Sequence, residues 1–220
     1  MTMRIVALPG VFRPRSDCWL LASTMREGEL ARGASVLDLF TGSGALAVAA
    51  ARSGAHTVTA SDLSFRAVLN ARLNARMNGV RLRERRGDLF APIAKERFDL
   101  ILANPPYVPS RNGAPPRRRS ECAWEAGPTG RLLLDRLCAE AGAHLTPGGS
   151  VLLVQSSLSG ERETLDALAA SGLTAEVLAR RRGPLGPIVA ARAAELERRG
   201  LLAPGQREED LLVIRAGHAR

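Results

Sequence analysis

Between Ser35 and Ala103 the sequence switches repeatedly between short β-branched runs and alanine-rich stretches, a rhythm that restricts the fold more than any other feature. Ser35–Leu39 (SVLDL) reads as a buried strand and Gly44–Ser53 as a helix, with Gly54 at its C′ position. Thr57–Ser61 predicts a second strand, and Ser64 caps a helix that runs to about Asn78 and closes at Gly79. Arg81–Arg86 predicts a third, more polar strand near a sheet edge, and Phe98–Ala103 the fourth and most hydrophobic. After a long loop, Asn104 to about Gly127, the pattern predicts a helix over Arg131–His144 and a turn at Leu145–Gly149 (LTPGG). A strand at Ser150–Gln155, a helix at Glu161–Ser171 and strands at Thr174–Ala179 and Leu211–Arg215 follow. Strands separated by helices of roughly 10–15 residues imply βαβ units. The expected fold class is therefore α/β: a doubly wound, mostly parallel sheet with helices on both faces. Residues 1–220 are expected to form one domain, with 1–30 as an N-terminal cap segment in which Pro9–Asp17 acts as a lid.

The chain carries a net charge of +9, almost all of it from arginine, since Lys95 is the only lysine. Such a balance favours a polyanionic partner such as RNA, a ribosome or DNA. No apolar run is long enough to cross a membrane, and MTMRIVALPGVF lacks the features of a signal peptide. A soluble, cytoplasmic protein is the expectation. Cys18, Cys122 and Cys138 are widely spaced, as are His56, His144 and His218, so reduced thiols and no metal site are expected.

Asp38-Leu-Phe-Thr-Gly-Ser-Gly44 joins a strand end to a helix through a turn of small residues. Glycines there permit close backbone approach to a ligand, and the helix amides face it. A pyrophosphate-binding turn would read GxGxxG, whereas this one has Gly42 and Gly44 only and sets Asp38 beside them. A carboxylate at that position suits a ligand bearing an ammonium group. Asp62 ends the second strand, twenty positions beyond Gly42, where a doubly wound fold places the acid for a ribose hydroxyl pair. Asp88 follows the third strand. Three acids at three successive strand ends point to a nucleoside with a cationic tail.

That combination resembles the class I methyltransferases that use S-adenosylmethionine. The resemblance implies a seven-stranded sheet with an antiparallel last strand. It also implies cofactor contacts: Asp38, Thr41, Gly42 and Gly44 at the amino-acid end, Asp62 with Leu63 at the ribose, and Asp88 with Leu89 at the adenine.

Asn104-Pro-Pro-Tyr107 halts the fourth strand, because two prolines remove two backbone donors and fix two φ angles. It is similar to the NPPY motif of enzymes that methylate nitrogen on a planar amide or amine, with Asn104 also bordering the cofactor. Such a nitrogen is a poor nucleophile, its lone pair being delocalised. The Asn104 side-chain oxygen and the Pro105 carbonyl can accept its two N–H bonds, aim the lone pair and stabilise the charge developing on nitrogen. Tyr107 can pack on the planar group.

More narrowly, the chain resembles the HemK-type protein N5-glutamine methyltransferases, in the short branch without the N-terminal helical domain. Val11-Phe-Arg-Pro-Arg-Ser-Asp-Cys-Trp-Leu-Leu21 is similar to that branch's V-Y-x-P-x-x-D-(S/T)-x-L-L segment. Phe12 replaces its tyrosine, and Cys18 stands where Ser or Thr would contact the cofactor. Trp124-Glu125, Gly130-Arg131 and Leu134-Asp135 match its W-E-x-G-x-x-G-R-x-x-x-D stretch. The resemblance implies a protein glutamine N5-methyltransferase whose partner is a translation release factor with a Gly-Gly-Gln tip; two alternatives stand beside it, an RNA or DNA methyltransferase acting on an exocyclic adenine or guanine amine, and a non-catalytic cofactor-binding scaffold. A small activating subunit belongs to the same set of expectations. Finally, the connection 183–209 is far longer than a hairpin needs. In this fold it would overhang the substrate cleft, so Pro187–Arg199 and the 110–127 loop are expected to help select the substrate.

Overall fold

The computed structural model describes residues 3–110 and 126–219. The Arg117-Arg118-Arg119 run in the 110–127 loop, Cys122, and the Trp124-Glu125 pair lie outside them. In chain order the elements are α1 (Ser16–Glu27), β1 (Ser35–Leu39), α2 (Ala45–Arg52), β2 (Thr57–Asp62), α3 (Phe65–Met77), β3 (Arg83–Arg86) and β4 (Phe98–Ala103). Then come α4 (Leu132–Glu140), β5 (Leu145–Ser156), α5 (Glu161–Ala170), β6 (Leu173–Pro184), α6 (Pro187–Ala191), α7 (Ala193–Arg198) and β7 (Glu208–His218). The described residues form a seven-stranded sheet in the order β3-β2-β1-β4-β5-β7-β6. All neighbours pair in parallel except β7, which runs antiparallel to both β5 and β6. The polar β3 lies at an edge, as its composition predicts.

Strand pleating sorts the core into two layers. Val36, Leu100, Leu102, Leu152 and Val154 face one side, packed under α1, α2 and Ala71 of α3. Leu37, Ile101, Ala103, Val151 and Leu153 face the other, under Leu134 and Leu137 of α4 and Leu168 of α5. Both faces are covered, so β4 and β5 read as continuous apolar runs rather than alternating ones. Each such buried Leu or Ile contributes roughly 1.5–3 kcal/mol by removal from water.

Several boundaries differ from the pattern-based expectation. LTPGG does not precede β5 as a turn but is a bulge within it: Leu145 pairs with Phe98, Ser150 with Leu100, and the register shifts between them. Gly149 is needed there, because a Cβ would come within 2.8 Å of the Phe98 carbonyl. The 131–144 helix tightens into a 3-10 turn over Ala141–His144. The 187–199 helix is two short helices broken at Arg192. β6 and β7 extend well beyond their apolar centres, pairing from Leu173↔His218 to Pro184↔Glu208. Their outer halves are polar because that end of the hairpin reaches past the core.

The segment before α1 is held by a ladder of asparagines. Asn78, Asn74 and Asn70 accept from the backbone N–H groups of Arg4, Val6 and Leu8 at 3.0, 3.0 and 2.7 Å. Their amide groups donate back to the Arg4 and Val6 carbonyls. Four helical residues rise about 6 Å and two extended residues about 6.7 Å, so the repeats match closely over three rungs. This strap runs antiparallel to α3 and delivers Phe12–Asp17 to the carboxyl ends of the strands.

Candidate active site

Parallel strands place Asp38, Asp62 and Asn104 along one edge of the sheet, where the strand order reverses between β1 and β4, the usual ligand position in such folds. Asp38 is fully buried. Its Oδ2 accepts from Thr41 Oγ1 at 2.5 Å and from the Ala47 N–H at 2.9 Å, while its Oδ1 has no partner among the described residues. Burial pushes its carboxyl up to about 7, against those two hydrogen bonds, with Asp62 adding repulsion. A buried carboxylate oxygen with an unused lone pair fits the ammonium group of S-adenosylmethionine.

Asp62 also tightens the cradle, accepting from Gly42 N–H at 2.9 Å and Ser64 N–H at 2.8 Å, and burial raises its pKa. The two loop glycines serve different ends. Gly42 is needed for its φ of +52°, a Cβ there meeting Phe12 and Phe40 only at ordinary contact distances of 3.9 Å or more, whereas a Cβ on Gly44 would lie 2.7 Å from the Ala71 Cα. Gly44 thus lets α2 and α3 pack. Phe40 and Leu89 hold φ values of +63° and +45°. Such strain in non-glycine residues costs of order 1–3 kcal/mol and gathers at ligand sites. Leu63 is exposed. Asp88 is half exposed and paired with Arg136 of α4 at 2.8 Å. Cys18 is buried in the α1 side of the core, its thiol pushed up by burial and by Asp17 and Asp38.

At the end of β4, Asn104 and Tyr107 meet a residue absent from the sequence-derived set. Asp17 Oδ2 accepts from Tyr107 Oη at 2.8 Å and from Asn104 Nδ2 at 3.2 Å. Only its position within the N-terminal segment hinted at this, because the contact spans 87 and 90 residues. Gly130 packs directly behind, its φ +80° and a would-be Cβ only 2.4 Å from the Tyr107 carbonyl. Arg131, next in the matched stretch, is structural: it ties α4 to the Ser159 and Gly160 carbonyls and to Asp135.

Asn104–Val108 floors a pocket of about 530 Å³. Phe12 and Arg15–Asp17 form one wall, and Arg181–Val189 with Glu209 and Leu211 form the other. The start of the long connection therefore lines the same pocket as Asn104–Val108. Val108, Leu185, Val189, Leu196 and Leu202 make a small apolar cluster of their own, with Tyr107 against it. Arg192 donates to the Pro109 carbonyl at 3.1 Å, and Arg199 to those of Ser110 and Pro128 at 2.8 and 2.6 Å. Buried Glu209 accepts from the Gly186 N–H at 2.6 Å and from Ser156 Oγ.

Residues 2–115 match the methyltransferase small domain family. The chain belongs to that family. It is 33% identical over 188 residues to a protein of Methanocaldococcus jannaschii named for protein N5-glutamine methyltransferase activity, covering 86% of this chain and 93% of that one. It is 40% identical over 146 residues to the release factor glutamine methyltransferase of Deinococcus radiodurans, covering 64% of this chain and 52% of that one. The methyltransferase thus spans about half the length of the second relative. Among solved structures, the E. cuniculi Mtq2–Trm112 complex, responsible for methylation of the eRF1 termination factor, aligns with a TM-score of 0.68 at 22% identity. That alignment covers 96% of this chain and 99% of the other, and shows the shared fold.

Proposed function

We propose that this methyltransferase transfers a methyl group from S-adenosylmethionine to the side-chain amide nitrogen of a glutamine in a protein, with the Gly-Gly-Gln tip of a translation release factor as the leading substrate and the cytoplasm as its place of action. The observation that carries this reading is the orientation of Asn104. Its Nδ2 faces Asp17, so its Oδ1 is the end left for a planar NH₂ in the pocket. When bound, S-adenosylmethionine supplies an electrophilic methyl on a sulfonium. The residues do the rest by position. Asp38 takes the ammonium end, and Asp62 with the Gly42 turn takes the ribose. Asn104 Oδ1 and the Pro105 carbonyl accept both N–H bonds of the substrate amide, which turns its lone pair toward the sheet edge and spreads the positive charge that develops on nitrogen. Tyr107 supplies a flat face for the amide. With the cofactor bound, its methyl would pass from sulfur to that nitrogen, and the proton the nitrogen gives up would leave for water.

The connection 185–207 is proposed as the substrate-selecting wall. It is joined to the NPPY loop by the apolar cluster and the Arg192 and Arg199 contacts, which supports a fixed wall over a swinging lid.

The test is methyl transfer from labelled S-adenosylmethionine into recombinant release factor and, separately, into cell lysate followed by protease or nuclease. Label lost to protease and kept through nuclease, with a mass gain of one methyl on the Gly-Gly-Gln glutamine, is the expected result. Label lost to nuclease would replace this reading with base methylation.

A further inference from the structure

We infer that Asp17 is the positioning residue of the NPPY site, the group that decides which end of the Asn104 amide meets the substrate. It deepens the N-methyl transfer proposed above and rests on that reading. Asp17 lies in the first turn of α1 and is only 3% exposed. One oxygen is committed to the backbone N–H of Cys18 at 2.7 Å. The other receives two donors at once, the Tyr107 hydroxyl and the Asn104 Nδ2.

A carboxylate accepts and cannot donate, so the amide end facing it must be NH₂. Turning Asn104 over would set two acceptors against each other in a buried place and present a donor to a substrate that needs an acceptor. The same contact holds Tyr107 by its hydroxyl while its ring stays beside the pocket. Asp17 touches neither substrate nor cofactor in this scheme. It acts through Asn104 and Tyr107, and links them to the α1 segment that the N-terminal strap anchors.

The chain has a single tyrosine, so ultraviolet titration of the phenol reads Tyr107 alone. Its ionisation is pushed well above the usual range by burial, by Asp17, and by Glu209 on the facing wall, with Arg15 opposing. In Asp17→Asn, one oxygen cannot serve all three donors. The expected result is a kcat lower by roughly 10- to 100-fold, as for small misplacements of a catalytic group. S-adenosylmethionine affinity and the thermal midpoint should stay near wild type, and Tyr107 should titrate at lower pH. Asp17→Glu keeps an acceptor-only group and should recover part of the kcat.

A kcat within twofold of wild type would overturn the inference, as would an unmoved tyrosine titration. So would a parallel fall of cofactor affinity and thermal midpoint in both variants, which would make Asp17 a fold anchor. The titration needs no substrate. If the wild-type protein fails to methylate glutamine, the functional reading falls while the Asp17–Tyr107 link is still decided.

Discussion

Asp38 places a buried acid, raised to about 7, at the position proposed for the ammonium group of the cofactor. A bound ammonium would hold that carboxylate ionised, so cofactor affinity should rise with pH between ~6 and ~7.5, with proton release on binding near neutrality. Isothermal titration in buffers of different ionisation enthalpy measures both. Asp38→Asn should weaken cofactor binding by roughly 10- to 100-fold, about 1.4 kcal/mol per decade, and flatten the pH dependence. The sign for folding is opposite. Because the folded pKa exceeds the unfolded one, the ligand-free protein binds more protons when folded, and Asp38 should lower stability as pH rises from about 4 to about 7. Asn104→Ala makes a complementary expectation: methyl transfer should fall by roughly 100-fold or more with cofactor affinity nearly unchanged, since the lost acceptor is the one proposed for the substrate nitrogen. Measured Kd and kcat from one preparation separate the two residues. Asp38 and Asn104 were legible from the sequence because each sits beside a local signal, a glycine turn and a proline pair. Asp17's role was not, because its two partners lie far along the chain.

At the scale of elements, the strap and the long connection are the parts that local pattern described least. Asn70, Asn74 and Asn78 recur every four residues on α3, a spacing visible in sequence, but nothing local says that an extended chain lies against them. Asn74 is fully buried and serves the Val6 N–H, the Val6 carbonyl and the Ser43 carbonyl. Asn74→Ala should cost about 2–3 kcal/mol by leaving those groups unpaired. Urea unfolding would show the loss, and hydrogen exchange would show early opening at Val6 and Leu8. The connection between β6 and β7 was legible as an overlong loop, yet its docking was not, since Arg192 and Arg199 bond to carbonyls whose positions depend on the whole sheet edge. Deleting 186–206 should leave cofactor binding near wild type and reduce turnover on the protein substrate more than on a short Gly-Gly-Gln peptide. Equal turnover on both would remove the connection from substrate selection.

For the molecule as a whole, strand order does the functional work. The reversal between β1 and β4 sets the Asp38 cradle beside the NPPY floor. The antiparallel β7 returns Glu209 to the far wall of the same pocket. The two apolar layers, split by strand pleating, keep that edge rigid, so a methyl donor and acceptor held there need little rearrangement to react.

The sequence by itself determined the alternation of strands and helices, the acidic strand ends and the NPPY stop. Each depends on near neighbours: pleat and helix periods, glycine's access to positive φ, proline's missing donor. Tertiary structure alone decided that Asp88 would pair with Arg136, that Gly44 would serve helix packing, and that Asp17 would orient Asn104. Those outcomes depend on which distant groups burial brings within hydrogen-bonding reach, and no local pattern encodes that distance.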